Sequence, residues 1–300
     1  MATHQGPVWP SKDGVSASSV GLPVGPWSTL LDFLTQRFPA IAREEWTARM
    51  QRGDVVDARG MPLRPDQPYQ AHGKVHYYRS LPPEPHIPFE AVLLYQDEHI
   101  VAVDKPHFLP VTPGGRYLQE TLLVRLKRQL GNDQLVPMHR LDRDTAGVVL
   151  FTCQPLLRDR YHALFRQRLV SKHYEAIAPW RADLALPTVH QSRLVAGASF
   201  LTMQEAGGEP NAETSIDVIE VKGDLARYSL RPVTGQKHQL RVHMAALGVP
   251  ILNDRMYPHL HPDAAPDYTR PLQLLARSIA FLDPVTGQAR HFASQRQLDW

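Results

Sequence analysis

Between Ser80 and Pro88 the chain reads SLPPEPHIP, its densest run of proline. Proline fixes φ and has no N–H to donate, so such a segment is stiff and extended and sits inside neither a helix nor a sheet. A spacer of this kind divides the 300 residues into two parts that are expected to fold separately. Upstream, the expectation is a flexible arm over residues 1–26, rich in Gly, Pro and Ser, and a small module over 27–79. Downstream, beyond the linker at 80–88, it is one larger domain over 89–300.

Both parts have the means to form a core. Apolar residues make up 43% of the chain and charged ones 21%, which is ordinary for a globular protein. No apolar run approaches the roughly 20 residues of a membrane helix. The opening MATHQGPVWPSKDG lacks the basic start and apolar run of a secretory signal. The single cysteine, Cys153, rules out an internal disulfide and a multi-cysteine zinc site, and its setting in GVVLFTC reads as a small buried hydrophobe. Cytoplasmic localisation, no membrane contact and, by default, a monomer are therefore expected. A net charge of +3 permits an anionic partner without arguing for one.

Periodicity places the elements. Leu30, Leu31, Leu34 and Phe38 predict a helix stopped by Pro39. A second helix is expected over Ala42–Gln51, and two short strands about the Ala58-Arg59-Gly60 turn. Beyond the linker, HIVAVD and GVVLFT read as buried strands. Leu122, Leu123, Leu126 and Leu130 mark a helix closed by Gly131, and Leu157, Tyr161, Leu164 and Phe165 mark another. KHYEAIA, PTVHQSRLV, TSIDVIEV, ARYSLRPV and LLARSIAFLDP follow as strands, interrupted by a helix with a Leu240, Met244 and Leu247 stripe. Many strands, few helices and no regular βαβ alternation predict an α+β fold. Its mixed, largely antiparallel sheet is flanked by helices, beside a small N-terminal α/β module.

Two segments concentrate charge. MHRLDRDTAG sets Asp142 between Arg140 and Arg143, whose charge favours the carboxylate; alone, it reads as a solvated loop with local ion pairs. In TGQKHQLRVHMAALGVPILND, Thr234 and Gly235 read as a helix start, where backbone N–H groups meet phosphates. His238 and Arg241, three apart, share a face. An arginine held on that helix can grip a carboxylate elsewhere with two prongs, although alone it reads as structural.

Together these segments resemble the RluA-type RNA pseudouridine synthases. HRLDRDTAG is similar to that family's His-Arg-Leu-Asp signature, DEHIVAVDKP to its strand ending in Lys-Pro, and SKHYEAI to the strand carrying its active-site tyrosine. TGQKHQLRVHMAALGVPILND is similar to its Thr-Gly-Arg-x-His-Gln-Leu-Arg-x-His block with the Gly-Asp that follows, and LLARSIAF and DPVTG are weaker matches in the same order. The likeness covers roughly Ala91 to Phe292. It implies isomerisation of a uridine in RNA, with Asp142 as catalytic carboxylate, Tyr174 stacking on the flipped uracil and Arg241 pairing with the aspartate. Arg140 matches the arginine that fills the gap left by the flipped base. His139, Arg143, His238 and Lys105, which lie in the same motifs, are expected to contact RNA. No cofactor and no metal are implied. Ribosomal RNA is the favoured substrate and transfer RNA the alternative.

This sequence departs from the pattern with Ala146 for the usual Ser, Gln236 for Arg and Asn253 for Gly. The module at 27–79 resembles the small RNA-binding domain named after ribosomal small-subunit protein four, with Glu44, Glu45, Asp54 and Asp57 diluting its positive charge. Arg158, His162 and Arg166 give one basic helix face, readable as an RNA track or as a solvated surface. His259 and His261 read as loop histidines, since no HExxH or cysteine partner accompanies them. The lack of a Pro-Cys-x-x-Cys element excludes a zinc deaminase. Asp142 and Asp144, two residues apart, do not divide into the acid and base of a glycosidase. The remaining alternative is a non-catalytic RNA-binding protein that retains the synthase fold.

Overall fold

The computed structural model describes residues 12, 14–79, 84–261 and 267–300, in two compact units. The first runs up to Pro85 and also includes Pro113–Gln119 and Val124–Asp133; the second holds His86–Thr112, Glu120–Leu123 and Gln134–Trp300. The division between Pro85 and His86 falls inside the proline run, of which residues 80–83 lie outside the described set. The expectation of one uninterrupted domain from residue 89 needs correction at the two inserted segments. There Leu118 and Val124 close an apolar cluster with Val15. An amphipathic helix buries its stripe, and its sequence does not say against which partner.

In the first unit the order is β1 (Ser18–Gly21), α1 (Leu30–Arg37), α2 (Arg43–Gln51), β2 (Val55–Val56) and β3 (Lys74–Tyr77). Thr29 and Asp32 form a reciprocal capping box that starts α1, as the two backbone N–H groups and side chains require. Phe33, Leu34, Trp46, Met50, Val55 and Tyr77 fill the core. Part of the expected flexible arm is ordered: β1 pairs antiparallel with β3, Ser18 opposite Tyr77. Four residues carry too little alternation to be recognised, and only the distant partner strand makes them a strand. Residues 1–11 and 13 of the arm lie outside the described set. The second of the two short strands about Gly60 is reduced to a bridge between Val56 and Pro62.

The second unit adds β4 (Val92–Gln96), β5 (Ile100–Lys105), β6 (Val136–Pro137), β7 (Ala146–Thr152) and α4 (Arg158–Arg166), while α3 (Leu122–Leu130) starts in it and from Val124 onward belongs to the first. There follow β8 (Ser171–Pro179), β9 (Thr188–Ala196), β10 (Met203–Ala206), β11 (Ala212–Lys222), β12 (Leu225–Pro232), α5 (Gln239–Ala246), β13 (Leu274–Leu282) and β14 (Ala289–Ala293). The sheet runs β10-β9-β11-β12-β8-β13-β7-β5-β4, with β14 on β13 and β6 on β7. β13 and β7 pair in parallel, whereas the other pairings of this sheet are antiparallel. The sheet is therefore mixed and largely antiparallel, with few helices.

Leu240 and Met244 of α5 pack on Ala176, Tyr228 and Leu230 of the sheet, while Tyr161 and Leu164 of α4 pack with Ile100, Val148 and Leu150. Helix α5 begins at Gln239, not at Thr234 as the sequence suggests. The Gln239 side chain accepts from the Thr234 hydroxyl at 2.7 Å and from the Gln236 N–H at 3.1 Å, holding the intervening residues as a loop. No helix among the described residues is long and apolar enough to cross a membrane.

Candidate active site

Three chain segments meet at the β7–β13 junction. The first is the loop that runs into β7. Gly147 has φ +114°, and a Cβ there would lie 2.2 Å from the Ala276 carbonyl oxygen of β13. Only glycine lets the two strands approach so closely, which fixes where the preceding loop emerges. At the end of β5, the wholly buried Lys105 reaches under this loop. Its Nζ donates to the carbonyls of Pro106 (2.9 Å), Leu109 (2.8 Å) and Arg143 (2.9 Å). Burial lowers its pKa to about 7 against the raising influence of Asp144 and Asp142. The expected RNA contact by Lys105 is thus corrected: a side chain with no exposed surface and three carbonyl partners holds the Asp142 loop in shape.

Helix α5 supplies the second segment and the chain after it the third. Arg241 is 3% exposed and lays its guanidinium fork on Asp254, at 2.8 Å (Nε–Oδ2) and 2.6 Å (Nη2–Oδ1). Its remaining Nη1 lies 3.3 Å from Asp142 Oδ2. Burial alone would lower the Arg241 pKa; the hydrogen bonds and charge of Asp254 outweigh it and keep the guanidinium firmly protonated. The two-pronged grip expected from the sequence exists, but it falls on Asp254, while Asp142 receives a single contact. Asp254, whose side chain is fully buried, also accepts from the N–H groups of Met256 and Tyr257. Asn253, just before it, sits at φ 62°, a left-handed conformation that asparagine tolerates where glycine is usual.

His238 precedes α5 at φ 55°, with Nδ1 2.8 Å from the Tyr257 hydroxyl and Nε2 3.8 Å from Asp142 Oδ1. Burial lowers its pKa despite the nearby Asp142 carboxylate. On β8, burial and then the charge of Asp142 raise the pKa of Tyr174. Two residues before Tyr174 on the same strand, Lys172 donates to the Thr234 carbonyl at 2.7 Å, and burial brings it down to about 8.

Asp142, His238, Tyr174 and Lys172 line a cleft of about 780 Å³, within the usual range for ligand sites. Arg140, Arg143, Arg168, Lys172, Tyr174 and Lys237 contribute to its walls, and Asp142 lies at its base. A smaller recess of about 110 Å³ opens beside Asp142, Tyr174, Leu240, Arg241 and Leu274. The Asp142 side chain is 30% exposed and so faces both the buried arginine and the open cleft. A carboxyl group beside a buried cation, with a tyrosine and an apolar wall next to it, can meet a planar polar ring and an electron-poor carbon.

Asp142, Tyr174, Arg241, Arg140 and His238 are thus gathered around one cleft. Arg143 lines it too, with its guanidinium on Asp144 at 2.9 Å. His139 lines the cleft as well, with an uncharged ring. Its Nε2 accepts from the Leu150 N–H at 3.2 Å, its ring stacks on Phe165, and burial lowers it to about 3, so the imidazole is neutral. The basic face of α4 is partly occupied internally: Arg158 donates to the Gln134 carbonyl and Arg166 pairs with Asp159. Burial holds the Cys153 thiol up at about 11, as suits an unreactive hydrophobe. Sequence reasoning gave no role to Asp254, Lys172 or Tyr257. The only signal for them was the Asp254 position in the matched block.

A family profile described as RNA pseudouridylate synthase matches residues 99–246. An uncharacterized RNA pseudouridine synthase of Synechocystis is 31% identical over 234 residues, 76% of this chain and 79% of that protein. The dual-specificity RNA pseudouridine synthase RluA of Salmonella typhimurium is 36% identical over 210 residues, 67% of this chain and 91% of that protein. Among solved structures, human RNA pseudouridylate synthase domain containing 4 superposes with a TM-score of 0.54 at 26% identity. It covers 69% of this chain and 88% of its own.

Proposed function

We propose, for a chain that belongs to the RluA-type RNA pseudouridine synthases and is accordingly an isomerase acting on RNA, that Asp142 is the catalytic carboxylate and that the recess beside it takes the target uracil. The observation that carries this reading is the placement of Asp142. One oxygen lies 3.3 Å from a buried arginine, and nearly a third of the side chain opens to the cleft. The reaction breaks the C1′–N1 bond, forms C1′–C5, releases the C5 proton to solvent and returns a proton from solvent to N1, with no net redox change. The carboxylate acts at the ribose, either on C1′ or in its deprotonation. Tyr174 offers a stacking face within the same recess. Extruding the base costs a few kcal/mol, least for a loop nucleotide.

Arg140, exposed at the cleft wall, is proposed to fill the gap that the base leaves. Ribosomal RNA is the proposed substrate, with transfer RNA as the competing one. The dual specificity in the Salmonella relative's name supports assaying both. The N-terminal module, with its helix–helix–strand core, is proposed to add phosphate contacts. The test is tritium release from C5-tritiated uridine in RNA by wild type and Asp142→Asn. The variant is expected to bind RNA and to lose at least about 10³-fold in turnover, as loss of a reacting group does. Sustained turnover by the purified variant would remove Asp142 from this role. Binding without turnover by the wild type on every RNA offered would favour the non-catalytic alternative.

A further inference from the structure

Away from the Asp142 cleft, three donors meet on three separate elements: His190 on β9, Glu205 on β10 and His243 on α5. Their ligand atoms all lie within 4.8 Å of one another. None of the three lines the cleft or its recess. Their separations along the chain match no metal-binding spacing, so the sequence alone expects no metal here. Hydrogen bonding between His190 Nε2 and Glu205 Oε1 at 2.7 Å would by itself be an ordinary cross-strand pair. His243 makes it more than that. Its fully buried ring stands edge-on to His190, with centroids 4.7 Å apart.

We propose that His190, Glu205 and His243 form a zinc site that ties the β9–β10 hairpin to helix α5. Two imidazoles and one carboxylate are a recurrent three-ligand set for Zn²⁺, with water in the fourth position. The nitrogen donors disfavour Mg²⁺ and Ca²⁺, which take oxygen. A ligand histidine is usually oriented by a hydrogen bond from its other ring nitrogen, and His243 has the partner for it. Its Nδ1 lies 3.0 Å from Thr214 Oγ1, which also receives the Gln239 amide at 2.9 Å. With the proton on Nδ1, the Nε2 lone pair, now 3.1 Å from the Ser192 hydroxyl, is available to a metal. His190 and Glu205 are 20% and 31% exposed, which leaves an entry path and room for a water ligand. Binding replaces the His190–Glu205 hydrogen bond by two bonds to the ion.

The experiment uses the untagged full-length chain, titrated with Zn²⁺ in a calorimeter and with Co²⁺ by visible absorption. One ion per chain, cobalt bands of a four-coordinate site displaced by Zn²⁺, and a Tm that rises with Zn²⁺ concentration are expected. His243 is buried, so its replacement risks the fold, and the ligand variants are His190→Gln and Glu205→Gln. Each should weaken Zn²⁺ binding by more than about tenfold, with little change in the Tm measured in chelator. The double variant His259→Ala/His261→Ala should bind as wild type does. Absence of saturable binding, unchanged affinity in His190→Gln and Glu205→Gln, or loss of binding in the His259/His261 variant instead would each overturn the proposal.

Discussion

The floor and the rim of the Asp142 cleft are both rich in charge, yet they use it in opposite ways. On the floor, Arg241, Asp254 and Lys105 are withdrawn from water and tied to fixed partners at 2.6–2.9 Å. At the rim, Arg140, Arg168 and Lys237 are exposed on the cleft walls. A buried charge cannot wander, because any move leaves it unsatisfied in a poorly polarisable interior. An exposed one is screened within about 10 Å at ordinary salt and adapts to whatever phosphate arrives. Rigidity is thus concentrated where a reacting atom must be met, and adaptability where a flexible polyanion must be held. The same comparison explains why Lys105, expected to touch RNA, belongs to the floor instead.

The largest effect expected from breaking this arrangement is that of Arg241→Met. The wholly buried Asp254 would lose its counter-charge, and removing one partner of such a pair costs about 3–5 kcal/mol. Urea unfolding should register that loss, and turnover should fall with it, because Asp142 loses its 3.3 Å contact. A variant of wild-type stability would show that the floor is less dry than its geometry implies.

Next in size is Lys105→Met, which strips three buried carbonyls of their donor, at about 1–3 kcal/mol for a group left unsatisfied. It also changes the pH profile. Burial holds the folded pKa near 7, below the ordinary 10.5. Between those values the unfolded chain binds a proton that the folded chain has released, so this group makes stability rise with pH across that window. The rise contributed by Lys105 should vanish in the variant, read as the wild-type minus variant difference in urea midpoint from about pH 7 to about pH 9. A difference that stays constant would mean that Lys105 is protonated throughout.

Lys237→Ala tests the rim. It should leave stability and saturated turnover unchanged, weaken RNA binding several-fold and lower the slope of log K against log salt by about one. An altered turnover at saturation would move Lys237 from rim to floor. The smallest effect on chemistry is expected from deleting residues 1–85, since none of the described residues among them lines the cleft. Apparent affinity and salt slope should drop if the module contacts RNA. Leu118 and Val124 lose Val15 and become exposed, so some loss of solubility is also expected. Equal affinity and slope for both forms would dissociate the module from RNA.

Local pattern was sufficient for much of this protein. Alternation and stop signals place β5, β7, α3, α4, β8, β9, β11 and β12, because each signal lies within a few residues of what it determines. The ordered motifs likewise brought Asp142, Tyr174 and Arg241 into view as one set before any coordinates. Other features depended on partners far along the chain. β1 is a strand only because β3 lies beside it, and residues 124–133 join the first unit only because Val15 is there. Arg241 was legible as a gripping arginine, but its main partner, Asp254, was settled by how α5 leads into the following loop. Lys105 carries the sequence mark of an RNA contact and is an internal support. Burial and hydrogen-bond satisfaction are properties of the assembled interior, which a residue's neighbours in sequence do not specify.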